Sequence, residues 1–137
     1  MRTITGMALM WAMILVGAGF VAAQDTTPPT VAIIAPANGS TVISGTTVVI
    51  MVSANDDSGI VSTVMIHAAE IIFGTSKPVR GSIKVLCKLT APPPWACVWR
   101  PNLPGSASSA LVLLDATAQD SSGNIASSAS ISVTLVP

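Results

Sequence analysis

Over most of the chain, hydrophobic residues alternate with small polar ones at the two-residue period of a strand buried on one face. Thr30–Ala35 alternates in this way, with Val31 and Ile33 on one side. Val48, Ile50, Val52 and Ala54 define a second inward face. Ile60–His67 is rich in β-branched residues and apolar on both sides, with Val64 and Ile66 on one and Val61, Met65 and His67 on the other. Ala68–Phe73 reads as a short further strand ending at Gly74. Ser82–Leu89 and Trp95–Arg100 read as extended segments on either side of a stiff corner, Ala91-Pro92-Pro93-Pro94. Val112, Leu114, Ala116 and Ala118 mark the inward face of Leu111–Gln119, and Ala129, Ile131, Val133 and Leu135 mark the last one. Clusters of Gly, Pro, Asn, Asp and Ser punctuate these runs at 36–40, 55–59, 101–109 and 120–124, and Thr75–Gly81 reads as a loop carrying Pro78. No segment holds a helical period between caps. Seven or eight short strands over about 110 residues predict an all-β, two-sheet sandwich, with a small barrel as the alternative.

Composition adds a compartment. The N-terminal segment differs from the rest: Arg2 is followed by an apolar run from Met7 to Val16, then by small residues at Val21-Ala22-Ala23. This order predicts a secretory signal over 1–23, with Gln24 as the new N-terminus and 24–29 as a short lead. An uncleaved anchor is the rival reading, and it is the one route to a membrane that the sequence offers. Only 9% of residues are charged and the formal net charge is zero. Removal of Arg2 leaves a balance of −1, with the remaining basic residues spread out, so nothing predicts a nucleic-acid partner. The exported part carries both cysteines, Cys87 and Cys97, and two thiols in an oxidising compartment predict one disulfide. The expected location is secreted, periplasmic or cell-surface.

Two turns echo one another. Ala54-Asn55-Asp56-Asp57-Ser58-Gly59-Ile60 and Ala118-Gln119-Asp120-Ser121-Ser122-Gly123-Asn124-Ile125 share Ala-x-Asp, then Ser-Gly, then Ile. An Asp so placed lies at the rim of a core, aimed at turn amides. The order of such pieces resembles bacterial immunoglobulin-like (Big-type) domains of secreted and surface proteins. The likeness is carried by Pro28-Pro29-Thr30-Val31, Ile34-Ala35-Pro36-Ala37-Asn38-Gly39-Ser40, Ser44-Gly45-Thr46-Thr47-Val48, Ala54-Asn55-Asp56, Pro94-Trp95 with Val98-Trp99, and Ala116-Thr117-Ala118-Gln119-Asp120 with Gly123-Asn124. It covers most of 28–137 and implies an immunoglobulin-like β-sandwich over 30–137, of about seven strands in two antiparallel sheets. Ile66-His67-Ala68-Ala69-Glu70 departs from the family pattern, and the Cys87–Cys97 stretch reads as an elaboration.

In such a topology one end gathers Asp25, Asp56, Asp57 and Asp120, with Asn55 and Asn124 nearby. Calcium takes six to eight oxygens, so these aspartates are the candidate cation ligands, against the plainer reading of turn caps and solvated carboxylates; no other cofactor is implied. Catalysis finds little support. There is one His (His67), one Glu (Glu70) and no Gly-x-Ser-x-Gly elbow, and Asp56 and Asp57 are neighbours rather than opposed carboxylates. Trp95 and Trp99 share a strand face; Trp99 is expected in the core and Trp95, beside Pro93 and Pro94, at the surface as a contact for an extracellular protein or carbohydrate. The expected function is therefore a non-enzymatic exported module for adhesion or for ligand or protein binding. The alternative is an assembly subunit that joins partners through weakly protected sheet edges.

Overall fold

The computed structural model describes residues 24–73 and 79–137. The expected signal peptide at 1–23 and most of the expected loop at Thr75–Gly81 lie outside them. Ten strands follow in chain order: β1 (Thr30–Ala35), β2 (Ser40–Ile43), β3 (Val48–Asn55), β4 (Val61–Phe73), β5 (Val79–Arg80), β6 (Lys84–Leu89), β7 (Trp95–Trp99), β8 (Ser109–Asp120), β9 (Ile125–Ser127) and β10 (Ile131–Val136). They form two sheets. The first is β1-β3-β7, and the second has the order β2-β10-β8-β4-β5, with β6 also on β4 and β9 also on β8.

The sandwich architecture is as expected, with two corrections. Strands number ten rather than about seven, because the β2, β5 and β9 pieces are too short to carry a visible alternation. The sheets are not wholly antiparallel, since β10 runs parallel to β2 from Val133↔Ser40 to Val136↔Ile43. The segments Ile60–His67 and Ala68–Phe73 are one thirteen-residue strand, β4. Val79–Arg80, expected within a loop, pairs with β4 as β5.

The alternation decides which side of each strand is buried. The first sheet contributes Ile50 and Val52 from β3 and Trp95, Cys97 and Trp99 from β7. The second contributes Val64, Ile66 and Ala68 from β4, five residues of β8 from Ala110 to Ala118, and Val133 and Leu135 from β10. On β4 it is the Val64–Ile66 side that faces in. Across the β4–β8 ladder a large residue meets a small one: Val64↔Ala118, Ile66↔Ala116 and Ala68↔Leu114. This complementarity lets two long strands fill one layer without crowding. Ala129, expected to face inward, is exposed because it precedes β10.

Cys87 of β6 and Cys97 of β7 form a disulfide. Since β6 belongs to the second sheet and β7 to the first, the bond ties the two layers at one side of the sandwich.

Candidate functional site

The β3–β4 turn and the β8–β9 turn are built alike. In each, an Asp Oδ1 accepts the backbone N–H two residues on: Ser58 to Asp56 at 3.0 Å and Ser122 to Asp120 at 2.8 Å. The Ser58 hydroxyl also donates to Asp56. The glycine that follows adopts a left-handed backbone, with φ 77° at Gly59 and 96° at Gly123, a conformation that disfavours any Cβ. The repeated Asp, Ser and Gly are thus one turn recipe used twice. In the N-terminal lead, Asp25 Oδ1 accepts the N–H of Thr27 at 2.9 Å in the same manner.

These three turns meet at one end of the sandwich. Asp25, Asp56 and Asp120 each present a carboxylate oxygen within 4.8 Å of the others. Asp57 stands outside the group and is exposed; the expected four-carboxylate rim is a three-carboxylate one among the described residues. Asn124 joins the parts, its Nδ2 lying 2.7 Å from Asp120 Oδ2, 3.1 Å from the Asp25 carbonyl and 3.4 Å from that of Thr27. Asn55, also expected nearby, turns instead to the Ser53 hydroxyl.

The carboxylates are unequally satisfied. Asp120 is buried, with 2% exposure, yet both of its oxygens accept hydrogen bonds. Burial pushes its carboxyl up, but the Asn124 side chain and the N–H groups of Asn124, Ser122 and Gly123 outweigh that and hold it below the usual 3.8. Asp25 Oδ2 and Asp56 Oδ2 are buried oxygens without a hydrogen-bond partner among the described residues. The His67–Asp115 contact, at 3.2 Å, lies elsewhere. Two buried acceptors beside a third carboxylate, with no cationic partner among the described residues, are oxygens of the kind that could hold a hard cation.

The proline corner differs from expectation. Pro93 and Pro94 are exposed, but Trp95 is buried at 4% exposure and Trp99 at 7%. The same alternation that turns Trp99 and Cys97 inward turns Trp95 inward too, so its ring is not a surface contact. Its Nε1 is buried without a partner among the described residues. Nothing in the sequence marks that atom as different from the indole of Trp99.

His67 does reach a carboxylate. Its Nδ1 lies 3.2 Å from Asp115 Oδ2, across the directly opposed pair His67↔Asp115 of β4 and β8. Both side chains are on the outward face of the second sheet. Asp115 was not distinguishable in the sequence, because the pairing register of strands 48 residues apart carries no local mark.

With this geometry, the comparisons with known proteins define the class. The bacterial Ig domain family matches residues 29–110, and the chain belongs to that family. No curated protein matches the chain. Among solved structures, the fibronectin(III)-like modules of Clostridium thermocellum CbhA share the fold, at 18% identity and a TM-score of 0.54, covering 77% of this chain and 94% of that one. Family and disulfide together fit an extracellular or surface setting.

Proposed function

We propose that this chain is a non-enzymatic, exported immunoglobulin-like module for extracellular or cell-surface contact, and that calcium braces one end of it. The observation that carries the reading is the convergence of Asp25, Asp56 and Asp120 within 4.8 Å, with buried, unpartnered oxygens on Asp25 and Asp56. Asp25 and Asp56 each spend Oδ1 on their own turn and keep Oδ2 unpartnered among the described residues, and Asp120 lies beside them, so a cation between the three would join the N-terminal lead, the β3–β4 turn and the β8–β9 turn. Calcium suits an all-oxygen set completed by water or backbone carbonyls. Its part here is structural, making the end of the sandwich rigid so that neighbouring loops hold their shape for a partner.

A thermal melt of the purified protein tests this, first with millimolar calcium and then with chelator. Calcium is expected to raise Tm, since a ligand at 100 times its Kd adds about 2.7 kcal/mol to the folded state. Asp56→Asn should abolish the rise. A melt that calcium leaves unchanged would overturn the brace and reduce the three aspartates to turn caps.

A second reading, assembly through sheet edges, draws on β1 and β7, which each pair on one side only in the first sheet. It predicts oligomers on gel filtration, where the favoured reading predicts a monomer.

A further inference from the structure

The outer face of the second sheet departs from the usual division of a half-buried sheet, which turns polar residues away from the core. β4 is apolar on both sides. Val64, Ile66 and Ala68 face the first sheet, while Met65, Ala69 and Ile71 face outward. On that outward side Ala69 and Ile71 stand opposite Leu113 and Leu111 of β8. Nearby, Phe73 is 39% exposed, and at the margin of the sheet Ile83 and Val85 are 73% and 59% exposed. Ile83 lines a cleft of about 200 Å³ together with Ala69, Ile71 and Leu113.

The charges at this margin are of one sign. After Arg2, every basic residue lies between Lys77 and Arg100, and no Asp or Glu occurs from Ile71 to Leu114. Along the sequence these cations are dispersed, but the fold collects several of them. Lys84 and Lys88 are exposed on β6, and Arg80 stands in β5 opposite Ile71. Both strands pair with β4 on the side away from β8. Lys88 lies opposite Met65 and Val85 opposite His67, so cation and aliphatic share the outward face. Two acids come near: Glu70 lines the same cleft, and Asp115 is held by His67. Asp25, Asp56, Asp57 and Asp120 belong to the lead and to the turns after β3 and β8.

Lysines on an edge strand also discourage pairing with another chain. That role does not call for bare aliphatic side chains among them, which would favour association. The two together select the occupant. Positive charge calls for an anionic partner. A soluble polyanion would use the lysines and leave Ile83 and Val85 bare. A bilayer uses both, since its headgroups move to meet the lysines and its acyl boundary takes the aliphatics. The outer face of the first sheet is apolar too, at Ile34, Val49, Met51 and Val98, but its strands contain no charged residue to select a partner.

We propose that the β5–β6 margin of the second sheet's outer face lies on a bilayer rich in anionic phospholipid, with Lys84 and Lys88 at the headgroups and Ile83 and Val85 at the acyl boundary. This rests on the reading of the chain as an extracellular contact module, and is independent of the calcium brace and of residues 1–23.

The test is co-sedimentation of the purified protein with sucrose-loaded vesicles, in chelator so that calcium cannot bridge carboxylates to lipid. Vesicles of phosphatidylcholine alone are compared with vesicles of phosphatidylcholine and phosphatidylglycerol in equal parts. Binding to the mixed vesicles alone is expected, and it should weaken as salt is raised. Lys84→Gln with Lys88→Gln should lower the partition coefficient about thirtyfold, or about fivefold for each lysine. Ile83→Ser should lower it about fivefold, whereas Val98→Ser, 71% exposed on the first sheet, should leave it unchanged. All four positions are exposed, so the variants should keep the parent's Tm, which a melt verifies. Equal binding to both kinds of vesicle, as a purely apolar anchor would give, overturns the proposal. So does binding that either the lysine pair or Ile83→Ser leaves unmoved. Lysine-dependent oligomers on gel filtration, without vesicle binding, would assign the margin to the acidic turns of a second copy and overturn it in favour of the assembly reading. A failure to bind vesicles with the protein still monomeric overturns the membrane partner alone and leaves the calcium melt as the separate test of the brace.

Discussion

Asp120 is the residue on which one end of the molecule turns. It is buried, yet accepts from two backbone N–H groups and the Asn124 amide. Its folded-state carboxyl is held below the ordinary value, so ionised Asp120 favours the folded chain. That contribution is complete above the ordinary value of 3.8 and drains away as pH falls from there through the lowered folded value. In chelator, the urea midpoint should therefore fall as pH is taken from about 6 to about 2, and Asp120→Asn should flatten that part of the profile. Equal slopes for the two proteins would contradict the assignment. Trp95 carries the other lesson at this scale. Its alternation with Cys97 and Trp99 already places it inward, but proximity to three prolines reads as surface, and in the fold the prolines take the solvent while the ring takes the core. What no sequence could announce is that its N–H is left without an acceptor among the described residues.

At the scale of elements, β4 and β8 form the central ladder of the second sheet, and their large-against-small pairing makes the layer sensitive to lost volume. Ile66 is fully buried opposite Ala116, so neither neighbour can swell to fill a void. Ile66→Ala is expected to cost about 2–5 kcal/mol, whereas the same change at exposed Ile34 should cost well under 1 kcal/mol; urea denaturation of both variants measures this. The strands that could be read from sequence are those whose burial is one-sided and long enough to repeat. β1 ends between Pro29 and Pro36, and β8 keeps Val112, Leu114, Ala116 and Ala118 in step. β2 and β9 have four and three residues, too few to establish a period, and they exist because β10 and β8 offer them an edge. The meeting of Asp25, Asp56 and Asp120 was partly legible, since two of them share a repeated turn motif. Exclusion of Asp57 was not, because Asp56 and Asp57 are neighbours in one turn and nothing local marks which of them joins the group. The His67–Asp115 pair depends wholly on register between distant strands.

At the scale of the molecule, a sandwich of this size has two layers that touch through one core, and the Cys87–Cys97 bond is a covalent tie between them. It closes a short loop that includes the whole proline corner. Replacing both cysteines by serine should cost about 2–3 kcal/mol, seen as a lower urea midpoint, and a reducing agent should do the same to the parent protein and nothing further to the variant. The parallel pairing of β2 with β10 has a mechanical meaning. A pull on the chain along β10 runs across its hydrogen bonds to β2, so these bonds share the tension and yield together instead of opening one by one like a zipper. A module fastened in that way can transmit force through β10 while the aspartate end and the proline corner keep their shape.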